Sequence, residues 1–595
     1  MSWAVACSAV LGFFAGTASL QAATFTIGPN GKDSNPGTAE APLLTLAAAR
    51  DKARVSEGGP HRIVLMPGEY FLRETLTLDR RDNGLTIEGS GDGEAVLYGG
   101  EPVTGWKRDG DRFWYAELPE VKDGTWDFRA LVINGRMPER ARLPATGTFT
   151  HKSEWKGARY ISGTWDPKPS REHKTTILYN PADIPATLDV KNAEMRVNHM
   201  WNEGLYGIAR NDTERHAFIL SSPTVHPPGA FGVQTYVIFN TREGMTEPGR
   251  WYLDRPAGRL VYWPLPDEDM ASAKIVAPRL PRIIHLAGTP KKMVEGIVIR
   301  GLKLQATTPP LGVRKYVFGA NDYDGAIHAE RTKNCVLERL EITNVGGEGV
   351  VFRSGNRAAR ISDCHIHHVG ACGVEVSTGG VGSKLEGNHI HHVGLAYPCA
   401  VGVISGHKDL QLRRNEIHDV PYCGIVCNGR NLLLEENLIY RVMRVMHDGA
   451  AIYGHMVDSV LRANVVRDVV AQGKGYGVSA YYLDEQSVNC IVERNVAVGV
   501  PMPTHNHISR DLIYRDNVFI VDGDMKLSFA RSANCTFERN LLYVPGKLTV
   551  KPPNAITVWR DNTIYRGGAR KGSVPDAFTI TDAMPPSKTP TRRFS

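Results

Sequence analysis

Two short segments of this 595-residue chain gather side chains that can move protons. MHDGAAIYGH carries His447, Asp448, Tyr453 and His455, and GYGVSAYYLDEQS carries Tyr482, Asp484 and Glu485. Two carboxyl groups facing across a glycosidic bond supply a general acid and a nucleophile or base, ~5–5.5 Å apart for retention or ~6.5–9.5 Å for inversion. Proximity pushes their pKa values apart, so that one keeps its proton near neutrality. The plainer alternative makes Asp448 a turn residue before Gly449, with Asp484 and Glu485 solvated in a loop. His447, Tyr453, His455, Tyr482, His505, His507 and Arg510 are the candidates to hold hydroxyl groups around such a pair.

A repeat must position these residues. The phrases SDCHIHHV, LEGNHIHHV, LRRNEIHDV, LEENLIYRV, LRANVVRDV, VERNVAVGV, YRDNVFIVD, FERNLLYVP and WRDNTIYRG recur with pivots at Cys364, Asn388, Asn415, Asn437, Asn464, Asn495, Asn517, Asn540 and Asn562. Their spacing of 22–31 residues matches the coils of a parallel β-solenoid, whereas helical repeats need longer units. Apolar and polar residues alternate around each pivot, as in half-buried strands. The pivotal asparagines are expected to hydrogen-bond along the stack and to adopt the left-handed conformation of a sharp bend. Counted from the pivots, Asp448 and Asp484 fall on neighbouring coils, ~4.8 Å apart, and can share a cleft if their registers nearly agree.

His365, His367 and His368 should lie one coil below His389, His391 and His392. A stacked surface ladder is preferred to a metal site, because no carboxylate or cysteine completes a ligand set. Cys372, Cys399 and Cys423 recur at 27 and 24 residues and are expected to stack as small buried residues, not as a disulfide framework.

The fold class expected is all-β: a right-handed parallel β-helix with an inserted, sandwich-like β-rich domain. Residues 1–23 read as a secretory signal, with an uncleaved anchor as the alternative because the n-region lacks Lys and Arg. The solenoid should start over 24–100, yield to the insertion over 101–300 and resume over 301–583, leaving a disordered tail at 584–595. The insertion brings Trp201, Trp251 and Trp263, whose faces suit sugar rings as well as cores. The net charge of +7 contains no Lys/Arg block, which argues against nucleic acid as a partner. A monomer without cofactor or later membrane span is expected, secreted, periplasmic or at the cell surface.

Several stretches together carry a resemblance. GPNGKDSNPGTAEAPLLTLAAARDKAR, MPGEYFLRETLTL, INGRMPERARLP, EPGRWYLDRPAGRLVYWPLP, DGAAIY and YYLDEQS make the chain similar to glycoside hydrolase family 141 over nearly its whole mature length. The resemblance implies a β-helix with an inserted β-domain, α-L-fucosidase or xylanase activity on a polysaccharide or oligosaccharide, and Asp448 with Asp484 as the catalytic pair. Glu485 stands where the family often has a second Asp, so it remains an alternative to Asp484. Two other readings compete. A polysaccharide lyase or epimerase would use a base such as Lys474 or Arg510, often with Ca²⁺. A glycan-binding surface protein would perform no chemistry.

Overall fold

The computed structural model describes residues 22–161, 163–308, 319, 321–377, 379–469, 476–566 and 578–581. The expected tail and all but the last two residues of the expected leader lie outside these, as does Lys474. Short alternating strands coil into a right-handed parallel β-helix whose three long sheets hold 14, 12 and 14 strands. Each coil gives one strand to each sheet, and residues of like shape fall in register. Leu337, Ile361, Leu385, Leu412, Leu434, Leu461 and Val492 form one buried column of the first 14-stranded sheet. Ile342, Ile366, Ile390, Ile417, Ile439 and Val466 form another on the second. Each such side chain contributes about 1.5–3 kcal/mol by leaving water, so the core is a continuous rod built one rung at a time. A helix over Leu46–Val55 lies against the first strands, burying Leu46, Ala49 and Ala53 at the end of the rod.

The asparagines form the expected ladder. From Asn388 to Asn540, each donates from its backbone N and from Nδ2 to Oδ1 of the next, at 2.9–3.1 Å, and Asn562 closes the series. The bend itself differs from expectation. The left-handed residue is the one before each pivot: Asp363, Gly387, Arg414, Glu436, Ala463, Arg494, Asp516, Arg539 and Asp561, at φ 53–68°. Eight of these nine carry a side chain, at a cost of about 1–2 kcal/mol each, which the ladder bonds hold in place. Asn464→Ala would leave two donors of Asn437 without partners and remove one bond to the carbonyl of Leu434. An expected loss of about 2–4 kcal/mol in urea unfolding follows, and a change below about 0.5 kcal/mol would show that the ladder is not what fixes the bend.

Cys372, Cys399 and Cys423 are buried thiols not joined in disulfides, but they do not form one column. The strand pairing aligns Cys372 with Val401 and Cys423, because Val374, Val403 and Ile425 share a register. Cys399 lies two residues earlier, where its backbone N donates to Glu203.

The chain leaves the rod after Ala95–Tyr98 and rejoins it at Ile284–Ala287, so that Thr86–Gly89 pairs directly with Val298–Arg300. Between them, antiparallel sheets bury their own clusters, one around Phe128, Trp251 and Tyr262 and another around Tyr206, Phe218 and Tyr236. Trp251 is wholly inside the first, and Trp263 packs edge-on against Phe113.

Candidate active site

Gly449–Gly454 and Val478–Leu483 are adjacent parallel strands of the 12-stranded sheet, with Tyr453 beside Tyr482. Asp448 immediately precedes the first and Asp484 immediately follows the second, so their registers do not agree. They approach through the tyrosines between them. The Tyr482 hydroxyl lies 3.5 Å from Asp448 Oδ1 and also interacts with Asp484. The Tyr453 hydroxyl donates to Asp484 Oδ2 at 2.7 Å.

The polypeptide fixes Asp448 tightly. Its φ of 58° is left-handed, its N–H donates to Gly477 and its carbonyl accepts from the Tyr422 hydroxyl. A Cβ on Gly449 would fall 2.7 Å from Cys423 Sγ and 2.8 Å from the Tyr422 ring, so only glycine fits behind it. Such local strain persists where the surroundings over-determine it. Burial, and then the charge of Asp484, push the Asp448 carboxyl up to about 6, against a smaller opposing effect of Tyr482. Burial also raises both tyrosines, which stay neutral donors.

His507 Nδ1 lies 3.0 Å from Asp484 Oδ1, while Arg531 reaches His507 Nε2. An arginine can only donate, which assigns the proton to Nδ1 and directs it at Asp484. His505 packs tilted against Tyr482, with centroids 4.3 Å apart, and bonds Ser528 Oγ; burial lowers it to about 4, so it supports the tyrosine as a neutral ring. His447 is buried, with its N–H on Met200 of the insertion. His455 lies outside the cavity and meets the Glu485 carbonyl at 2.8 Å. Glu485 lines the cavity with its side chain 53% exposed, 3.9 Å from His507 Nδ1. Arg510 is not brought to the pair; it is exposed and binds Asp511 at 2.8 Å.

The opposite wall comes from the insertion. A hairpin of Arg159–Ile161 and Thr164–Asp166 presents Tyr160 and Trp165, joined by Trp155, Trp201 and Phe231 around a cavity of about 870 Å³ that Asp448, Glu485, His507 and Tyr476 complete. Centroids 4.7–6.0 Å apart make Tyr160, Trp165, Trp201 and Phe231 one cluster, and Trp165 Nε1–H donates to His226 Nδ1. Of the tryptophans singled out in the sequence, only Trp201 lines this space. Trp155, Tyr160, Trp165 and Phe231 were missed; the alternation in ARYISGTWD was the one visible signal, and only for Tyr160 and Trp165. Among the described residues lining the cavity there is no Lys or Arg.

The histidine phrases form the expected stacks, His365 on His389 at 4.8 Å and His367 on His391 at 5.0 Å. The register continues the column to His418, which brings Asp419 to His392 and His418 with ligand atoms within 4.8 Å of one another. A carboxylate therefore does complete a possible ligand set, contrary to the sequence expectation, which had not carried the stack on to the following coil.

A family model of the right-handed beta helix region matches residues 325–510, a span that includes Asp448, Asp484 and Glu485. No curated protein matches the chain. Among solved structures, a glycoside hydrolase is 20% identical over 83% of this chain and 96% of its own, with a TM-score of 0.69. The complex of XylC with xylose is 12% identical over 91% of this chain and 86% of its own, with a TM-score of 0.54. At these identities the likeness is one of fold, and the fold this chain shares with both is the β-helix of its three parallel sheets.

Proposed function

We propose that the chain is a glycoside hydrolase in which Asp448 is the general acid and Asp484 the nucleophile or base. The observation carrying this reading is the Asp448 carboxyl, which lines an aromatic-walled cavity, is linked to Asp484 through the Tyr482 hydroxyl, and is pushed up to about 6 by burial and then by the charge of Asp484. Asp448 gives its proton to the leaving oxygen as the bond to the anomeric carbon breaks, while Asp484 attacks that carbon or takes a proton from the attacking water. When Asp484 is the nucleophile, water then attacks the anomeric carbon of the glycosyl–Asp484 ester, giving one proton to Asp448 and releasing the Asp484 carboxylate; in the other case that proton rests on Asp484 until solvent exchange returns it to Asp448, and either way the water's remaining hydrogen stays on the product hydroxyl. Asp484 is preferred to Glu485 because Tyr453 and His507 fix both its oxygens, whereas Glu485 is exposed at the rim.

Aromatic faces across the cavity from Asp448 suit the apolar face of a sugar ring. The lack of a cation among the described lining residues favours neutral sugars over uronates, and the resemblance to family 141 favours chains containing α-L-fucose or xylose. The test is product analysis of the purified protein on plant and algal polysaccharides and aryl glycosides, with and without chelator. Saturated products that survive chelation are expected. Unsaturated, Ca²⁺-dependent products would replace the reading by a lyase, and saturable binding without product by a lectin-like role.

A further inference from the structure

Seven imidazoles occupy one patch of the second 14-stranded sheet: His365, His367, His368, His389, His391, His392 and His418. The hydrolytic reading uses none of them. Their ring nitrogens meet in pairs, His365 Nε2 with His391 Nε2 and His389 Nε2 with His418 Nε2 at 2.8 Å, and His391 Nδ1 with His392 Nδ1 at 2.7 Å. Imidazoles meet at this distance only when one nitrogen of each pair offers a bare lone pair. The patch is thus a store of neutral nitrogen ligands.

We infer that His389, His391 and His418 form a binding site for a first-row transition cation, with Zn²⁺ as its probe. Their ligand atoms all lie within 4.8 Å of one another. Zn–N bonds of about 2.0–2.1 Å in a tetrahedron separate nitrogens by about 3.3 Å, so the 2.8 Å pair must open only a little to admit the ion. His418 is prepared for this. Its Nδ1 lies 2.6 Å from Asp419 Oδ2, nearer than the Arg441 guanidinium at 3.3 Å, which assigns the proton to Nδ1 and leaves Nε2 the lone pair facing His389, the carboxylate–histidine arrangement that orients metal ligands. On binding, the proton shared between His389 and His418 moves to Nδ1 of His389, leaving both Nε2 atoms for the metal. Three imidazoles favour Zn²⁺, Cu²⁺ or Ni²⁺ over Ca²⁺ or Mg²⁺. Because His389 and His391 share one coil and His418 belongs to the next, the ion clips adjacent rungs together.

The experiment is titration of the chelator-stripped, dialysed mature chain with ZnCl₂ by calorimetry, beside His391→Phe and His418→Phe, which keep a ring in the stack. One Zn²⁺ per wild-type chain with Kd of about 1 μM or tighter is expected, weakened at least about 100-fold in either variant, and about 10–100-fold in Asp419→Asn. Co²⁺ in the wild-type chain reads the ligand set without any substitution, and intense tetrahedral visible bands are expected. No uptake by the wild type, unchanged affinity in both phenylalanine variants, or a weak octahedral Co²⁺ spectrum would overturn the site.

Discussion

Asp448→Asn is expected to lower kcat by about 10²–10⁴-fold on any substrate whose leaving group needs a proton, with KM changed far less. The amide keeps the size of the side chain and its contact with Tyr482, so the left-handed turn against Gly449 should survive; what disappears is the transferable proton. Leaving-group dependence makes the test specific. An aryl glycoside with a nitrophenolate leaving group needs little protonation and should retain much more activity in Asp448→Asn than an alkyl glycoside. Asp484→Asn should be severe on both, because the group acting at the anomeric carbon is lost whichever alcohol departs. Equal losses on the two substrates in Asp448→Asn would remove it from the acid role, and near-normal turnover in Asp484→Asn beside an inactive Glu485→Gln would exchange those two residues.

The pH dependence yields the second large effect, one that separates Asp448 from an ordinary buried aspartate. In the folded chain its carboxyl sits at about 6, above the unfolded value near 3.9. Below about pH 4 both states hold the proton and the residue contributes nothing to the difference. Between about pH 4 and 6 the unfolded state releases it first, so stability falls as pH rises, and above about 6 the whole penalty, about 3 kcal/mol, is present. Asp448→Asn should therefore stabilise the protein at pH 7.5 by about 1–3 kcal/mol and do little at pH 3.5, as measured by urea unfolding. The same titration sets the alkaline limb of kcat/KM near pH 6, where the wild-type acid loses its proton. A variant that is equally or less stable than wild type at both pH values would mean that Asp448 is not held protonated by its surroundings.

The solenoid was legible because it is written nine times: the pivots and their spacing reveal a rung even when each strand has only three residues. The column of asparagines was legible for the same reason. The left-handed bend was not, since the residues that make it are Asp, Gly, Arg, Glu and Ala, types with no common propensity; only the neighbouring asparagine unites them. The Cys372–Cys399–Cys423 spacing misled because coil lengths vary in the loops, and the loop between Gly394 and Val403 displaces Cys399 from the column. Asp448 and Asp484 could be found as acids on adjacent coils, yet not their offset, which depends on which end of each strand they occupy. The aromatic wall was hidden by distance, since Tyr160 and Trp165 lie nearly 300 residues before Asp448 in an insertion without a repeat.

The asparagine column also has a direction. Each Oδ1 faces the rung before it, while the backbone N–H and one Nδ2 proton face the rung to come. A chain emerging from synthesis thus ends, after every coil, in two donors that the next coil's asparagine alone is placed to accept. The column therefore has one polarity from Cys364 to Asn562, donors toward the following rung and an amide acceptor toward the preceding one.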